Sequence, residues 1–195
     1  MPPKNKFTKD EIIRAGVNVV RKGGIDSLTA RSTALELKSS TKVIFGAFDS
    51  MDSLAYEVKK RAYELYLSHQ SDVTESGRYP VYKASGMAYI SFAREEKELF
   101  KLLFMCENGR SEDKDDEFEH FTGVVRDGLN LSQSKANLFH TEMWIFVHGI
   151  ATMLATNFCA WSEEQVSTML NDVFMGIQER FCGTSKAIER KGTNG

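Results

Sequence analysis

A chain of 195 residues, 42% hydrophobic and 27% charged, has the composition of a globular protein and the length to bury a substantial core. No stretch approaches the roughly 18 consecutive apolar residues of a membrane span, and Met1-Pro2-Pro3-Lys4 opens no secretory signal, so a cytoplasmic protein with no membrane partner is expected. The net charge of −2 is unevenly spread. Residues 1–62 hold twelve Lys/Arg against seven Asp/Glu and the remainder thirteen against twenty, so a basic third suited to phosphate precedes an acidic two-thirds. Cys106, Cys159 and Cys182 are scattered, odd in number and without a C-x-x-C, which predicts buried small hydrophobes and no disulfide.

The chain opens on a short basic arm with Lys4 and Lys6. Thr8-Lys9-Asp10-Glu11 has the spacing of a capping box, and Ile12, Ile13, Val17 and Val20 follow at helical intervals until Lys22-Gly23-Gly24 stops the helix. Thr29 can cap a second helix built on Ala30, Ala34 and Leu37, with Leu35 on its flank; Lys38-Ser39 then supplies a turn. Ser40 or Thr41 caps a third helix, expected to run to Phe48, with Val43, Ile44, Phe45 and Phe48 as its apolar side. Two helices of two turns cannot bury a core alone, so the longer helices on either side must clamp them. This is helix-turn-helix architecture, in which the second short helix offers its N-terminal side chains to the major groove of DNA.

A fourth helix starts near Ser50, buries Leu54, Val58, Ala62 and Leu65, and is expected to end about His69 before a polar connection over residues 70–80. Two helices follow, from Tyr82 to Arg94 and from Lys97 to Met105. The acidic run between Cys106 and Glu117 is expected to be a solvated loop. A helix carrying Phe118, Phe121, Val124 and Val125 ends at Asp127-Gly128, and a long one runs from Ser132 to about Phe158. Ser162-Glu163-Glu164-Gln165 caps the last. The pattern is all-α with about nine helices: residues 1–60 form a three-helix helix-turn-helix unit, 61–183 a larger helical unit, and 184–195 a loose tail.

The segments LTARSTALEL, SSTKVIFGAF and DSMDSL, from Leu28 to Leu54, resemble in register the DNA-binding domain of tetracycline-repressor (TetR/AcrR) regulators. WIFVHGIATM, from Trp144 to Met153, resembles the W-H-G signature of one subgroup's ligand-binding domain. The resemblance implies a transcriptional repressor that binds double-stranded operator DNA as a homodimer and is released by a small apolar or amphipathic effector. Two departures stand out. The family's Tyr-x-His-Phe is here Phe45-Gly46-Ala47-Phe48, and a phosphate-holding lysine is replaced by Met51, which leaves open a helical dimer that binds a small molecule or a protein and has lost operator binding.

Position on the helix-turn-helix nominates Thr29 and Arg31 for phosphate, Ser40, Thr41 and Lys42 for the groove, Val43 for a thymine methyl, Phe45 beside them, and Lys6 for the backbone or minor groove. Met87, Phe92, Phe100 and Phe104, with Phe121, Phe139, Trp144 and His148, are either plain helical core or the wall of an effector pocket, and the family resemblance implies the pocket. For the dimer, Phe146, Ile150 and Met153 of the penultimate helix join Val166, Leu170, Val173, Phe174 and Ile177 of the last, a surplus of apolar surface suited to a four-helix bundle. His69, His120, His140 and His148 show no metal-ligand spacing. With no nucleophile elbow or phosphate loop either, neither catalysis nor a cofactor is expected.

Overall fold

The structure is a computed structural model that describes residues 7–106 and 112–182, with side chains left out for 112–115. Lys6, the first part of the expected loop at 107–111 and the expected tail at 184–195 lie outside the described residues. Those described form nine α-helices and one 3-10 turn, with no strand among them.

The N-terminal helices follow their caps. Thr8 Oγ1 accepts the Glu11 amide at 3.2 Å while Glu11 accepts the Thr8 amide at 2.7 Å, starting α1 (Lys9–Gly23). Its end falls at Gly24, whose φ of +75° needs no side chain in the way. A 3-10 turn (Ile25–Ser27) leads to α2 (Ala30–Glu36), capped by Thr29, whose hydroxyl accepts the Ser32 amide. Lys38, at φ +50°, reverses the chain, and the Ser39 amide donates back to Ala34 to close the turn.

The third helix, α3 (Lys42–Phe45), is shorter than its sequence predicts. Gly46 weakens continuation by about 1 kcal/mol relative to alanine. Ala47 and Phe48 instead hang on turn bonds to the Ile44 carbonyl, which drives the Phe48 ring into the core. Ile12, Val20, Ala34, Ile44, Phe48, Leu54 and Val58 form that core, and α1 crosses the next helix at Gly16, where a Cβ would come within 2.6 Å of Val58.

The helix α4 (Met51–Glu75) is one continuous 25-residue rod, running past the end expected at His69 and across residue 60. Its first half closes the helix-turn-helix core and Tyr66 enters the core of the remaining helices. These are α5 (Val81–Glu95), α6 (Lys97–Phe104), α7 (Glu112–Leu129), α8 (Gln133–Ala155) and α9 (Glu163–Cys182). Reciprocal bonds between Ser162 and Gln165 start α9 as the capping box requires. Central α5 packs against α4 and α8, with α6, α7 and α9 around it.

The expected loop up to Glu117 is corrected: α7 begins at Glu112, because acidic residues in a first turn complement the helix dipole. The α1 helix also reaches α6. Arg21 donates to both oxygens of Glu96, at 2.9 and 2.7 Å, and Gly24 lies so close to Glu98 that a Cβ would meet its carboxylate at 2.9 Å.

Candidate functional site

Two surfaces carry chemistry. The first is the outer side of the helix-turn-helix. Arg31, Ser40, Thr41 and Lys42 are exposed, Val43 is half-buried, and Phe45 stands 57% exposed. Thr41 sits at the start of α3 without using its hydroxyl as a cap, so the group remains available. Thr29 is exposed too, although its hydroxyl is engaged in capping α2. Beneath them Ile44 is fully buried, which fixes the roll of α3 and turns Lys42 and Phe45 outward. Lys22 pairs with Glu36 at 2.6 Å and Arg61 with Asp10 at 2.6 Å, tying α1 to α2 and to α4 behind this surface. The Arg61 hydrogen bond holds the Asp10 carboxyl below its usual value.

The second is a partly open cavity of about 560 Å³ lined by α4, α5, α6, α7, α8 and α9. Phe104, Phe118, Phe121, Met143, Trp144, Val147, Leu170 and Phe174 give it a mainly apolar wall. Ser85 and Thr141 add hydroxyls to it, and four further groups of polar side chains are hydrogen-bonded together at or beside the wall. Tyr66 and Gln70 both donate to Glu117 Oε1, at 3.0 and 2.6 Å. The Tyr82 hydroxyl meets His140 Nδ1 at 2.9 Å. Tyr89 meets His148 Nδ1 at 2.9 Å. Lys83 donates to Ser167 at 2.6 Å and Asn171 at 2.9 Å, with its ammonium 5.1 Å from the Tyr79 ring centre.

Burial sets the charge states in the wall. It pushes the Tyr66, Tyr82 and Tyr89 hydroxyls well above their usual range, with the Glu117 charge adding at Tyr66 and Tyr89. It also pushes His140 down to about 4, so that imidazole is neutral at physiological pH. Desolvation lowers Lys83 as well. Beside these, the described wall contains one carboxylic acid, Glu117, and one amine, Lys83.

Of the pocket residues nominated from sequence, Phe104, Phe121 and Trp144 line the cavity. Met87, Phe92, Phe100 and Phe139 do not: each is at most 4% exposed and packs into the solid core behind the wall. His148 also stands behind it, stacked on Trp144 with ring centres 5.2 Å apart and planes 12° apart. Sequence reasoning missed Tyr66, Tyr82, Lys83, Tyr89, Glu117 and His140. For Glu117 a signal existed, because Glu117, Phe121 and Val125 share one helical face, but the surrounding acids made it look like solvated surface.

The dimer residues are redistributed in the same way. Ile150, Val166 and Leu170 belong to the subunit's own core, and Leu170 and Phe174 line the cavity. Phe146, Val173 and Ile177 are half-buried against that core. The apolar side chains that α8 and α9 turn outward are Leu138, Ile145, Met153 and Met175, with Trp144 also exposed. Gly149 and Gly176 accompany them, with nothing within 4 Å of an added Cβ.

Residues 82–172 match the family model of the tetracycline repressor-like C-terminal domain. The fold is similar to the crystal structure of a Pseudomonas aeruginosa PAO1 protein assigned as a transcriptional regulator, with a TM-score of 0.63 and 15% identity over 89% of this chain and 93% of that one. No curated protein matches the sequence. No helix among the described residues is long and apolar enough to cross a membrane.

Proposed function

We infer that this chain, which belongs to the tetracycline repressor-like (TetR) family of transcription regulators, is an operator-binding repressor released by a small molecule. The observation that carries this reading is the pairing of an outward-facing helix-turn-helix with a partly open, mostly apolar cavity, joined by helices common to both. The α4 helix runs from Ser50 beside the reading head to Tyr66 in the cavity wall. The α6 helix ends at Phe104 in that wall and holds α1 through Glu96. A ligand that moves either helix moves the reading head.

The mechanism is a population shift. Two copies, paired through α8 and α9 in the cytoplasm, present two α3 helices to successive major-groove faces. Occupancy of the cavity favours a spacing that no longer fits both half-sites. Thr29 and Arg31 serve the phosphates, as does Lys6 of the arm, while Ser40, Thr41, Lys42 and Val43 approach the bases with Phe45 at their side.

The test is selection of a binding site from random duplexes and from the DNA flanking the protein's own gene, followed by mobility shift with and without amphipathic ligands. A palindromic site bound by the dimer and released by a ligand supports the reading. Failure to retain any duplex over non-specific competitor, with ligand binding intact, would instead favour a helical dimer without an operator. The exposed Phe45, which lacks a hydroxyl for phosphate, makes that second reading a real competitor.

A further inference from the structure

The acid and the amine in the cavity wall are not equivalent. Lys83 already places two N–H donors on Ser167 and Asn171 and rests its ammonium against the Tyr79 ring, beside the exposed Asn171 at the edge of α9. Glu117 uses only one of its carboxylate oxygens: Oε1 accepts both Tyr66 and Gln70, while Oε2 takes no hydrogen bond and no cation approaches it among the described residues. Both donors to Glu117 are neutral, so the carboxylate is held in position with no compensating cation among the described residues.

The surroundings have the same polarity. Tyr66 and Phe104 pack at 5.0 Å between ring centres, Phe118 lies 4.6 Å from the His140 ring, Phe121 follows Glu117 by one helical turn, and Trp144 also lines the cavity. Aromatic faces carry negative potential and attract a desolvated cation by about 0.5–2 kcal/mol per ring. They offer nothing comparable to an anion. The neutral state of His140 removes the one other group that could have opposed a positive ligand at this end.

Resting on the reading of the cavity as an effector site, we propose that its ligand is an amphipathic organic cation. Its ammonium or amidinium group sits against Glu117 Oε2 among the aromatic rings, and its apolar body fills the space lined by Met143, Val147 and Leu170. The Tyr66 and Gln70 bonds fix the carboxylate rotamer in advance, so the ligand does not bear that ordering cost. Lys83, already engaged at the opposite chemistry, disfavours a second positive group and sets a preference for monocations.

The experiment uses the full-length chain and three probes of equal tail length below their micelle concentrations: decyltrimethylammonium, decanol and decanoate. Binding is read by calorimetry and by the fluorescence of Trp144 in the wall. The expected result is at least tenfold tighter binding of decyltrimethylammonium than of decanol, with decanoate the weakest. Glu117→Gln keeps an acceptor for Tyr66 and Gln70, and it should bring the cation within about twofold of decanol. Equal affinity for cation and alcohol, or a cation preference that survives in Glu117→Gln, overturns the proposal and leaves the cavity reading standing. Preference for decanoate that disappears in Lys83→Met overturns it in favour of an anionic effector. Binding of none of the three counts against the cavity reading itself.

Discussion

Under the proposed function, single side chains divide the work at the helix-turn-helix. Lys42→Ala and Thr41→Ala should each cost about 1–3 kcal/mol on a selected operator where the side chain meets a base edge, and much less on unrelated duplex. Arg31→Ala should weaken all sequences alike and flatten the salt dependence of binding by about one phosphate's worth. Titrations at several salt concentrations separate the two classes; equal loss on specific and random DNA for Lys42→Ala would mean that it holds phosphate. His140 makes a second prediction. Its folded value of about 4 lies below the usual value near 6.5, so the unfolded chain binds the extra proton first as pH falls. Stability is full above pH 6.5 and is lost progressively toward pH 4, by an amount on the order of 3 kcal/mol. Urea unfolding between pH 7 and 4.5 should show this slope, and His140→Gln should flatten it.

At the scale of the element, packing between α1 and α4 is set by one missing methyl. Gly16→Ala would gain about 1 kcal/mol of helix propensity but place a Cβ within 2.6 Å of Val58, on a fully buried face. Overpacking of about 1–3 kcal/mol wins, so the variant should melt lower than the parent; a paired Val58→Ala should recover part of the loss. Elements were also where sequence was most and least readable. The capping boxes at Thr8 and Ser162 set their helices by local chemistry that any reader of the residues can see. The early end of α3 and the long run of α4 were not visible, because each depends on what the chain packs against. Phe48 leaves the helical path to reach the core, and residues 70–75 look polar enough for a loop yet continue a helix that Gln70 anchors to Glu117. The candidate site suffered more. An apolar residue in sequence does not say whether it faces a cavity or the solid core behind it, so Phe92 and Phe121 were indistinguishable until their helices were placed.

For the whole molecule, the proposed operator recognition depends on pairing. The most exposed of the apolar side chains on α8 and α9 are Ile145 and Met175, at 59% and 65%, with the open Gly149 and Gly176 on the same helices. A combined Ile145→Glu and Met175→Glu chain should remain folded by circular dichroism yet elute as a monomer and lose the operator, since a single half-site offers few base contacts. Light scattering of the parent as a monomer at micromolar concentration would refute the pairing. Charges at Val173 or Ile177 are a poorer test, because those side chains pack on the subunit's own core and would unfold it. Cavity and operator must also be linked in both directions: whatever factor a ligand takes from DNA affinity, DNA takes from ligand affinity.

The unbroken course of α4 gives the two ends of the molecule a fixed phase, like two gears keyed to one shaft. Each added residue in a helix turns what lies beyond it by about 100° and advances it by about 1.5 Å. One residue inserted between Leu65 and Tyr66 would therefore turn the proposed reading head relative to the cavity without removing a base-facing side chain or separating Tyr66 from Gln70. Four inserted residues return it to within about 40° of its starting phase. An exchange of reading heads between relatives has to conserve that count, and so does any graft that hopes to keep the response of one protein while changing its address on DNA.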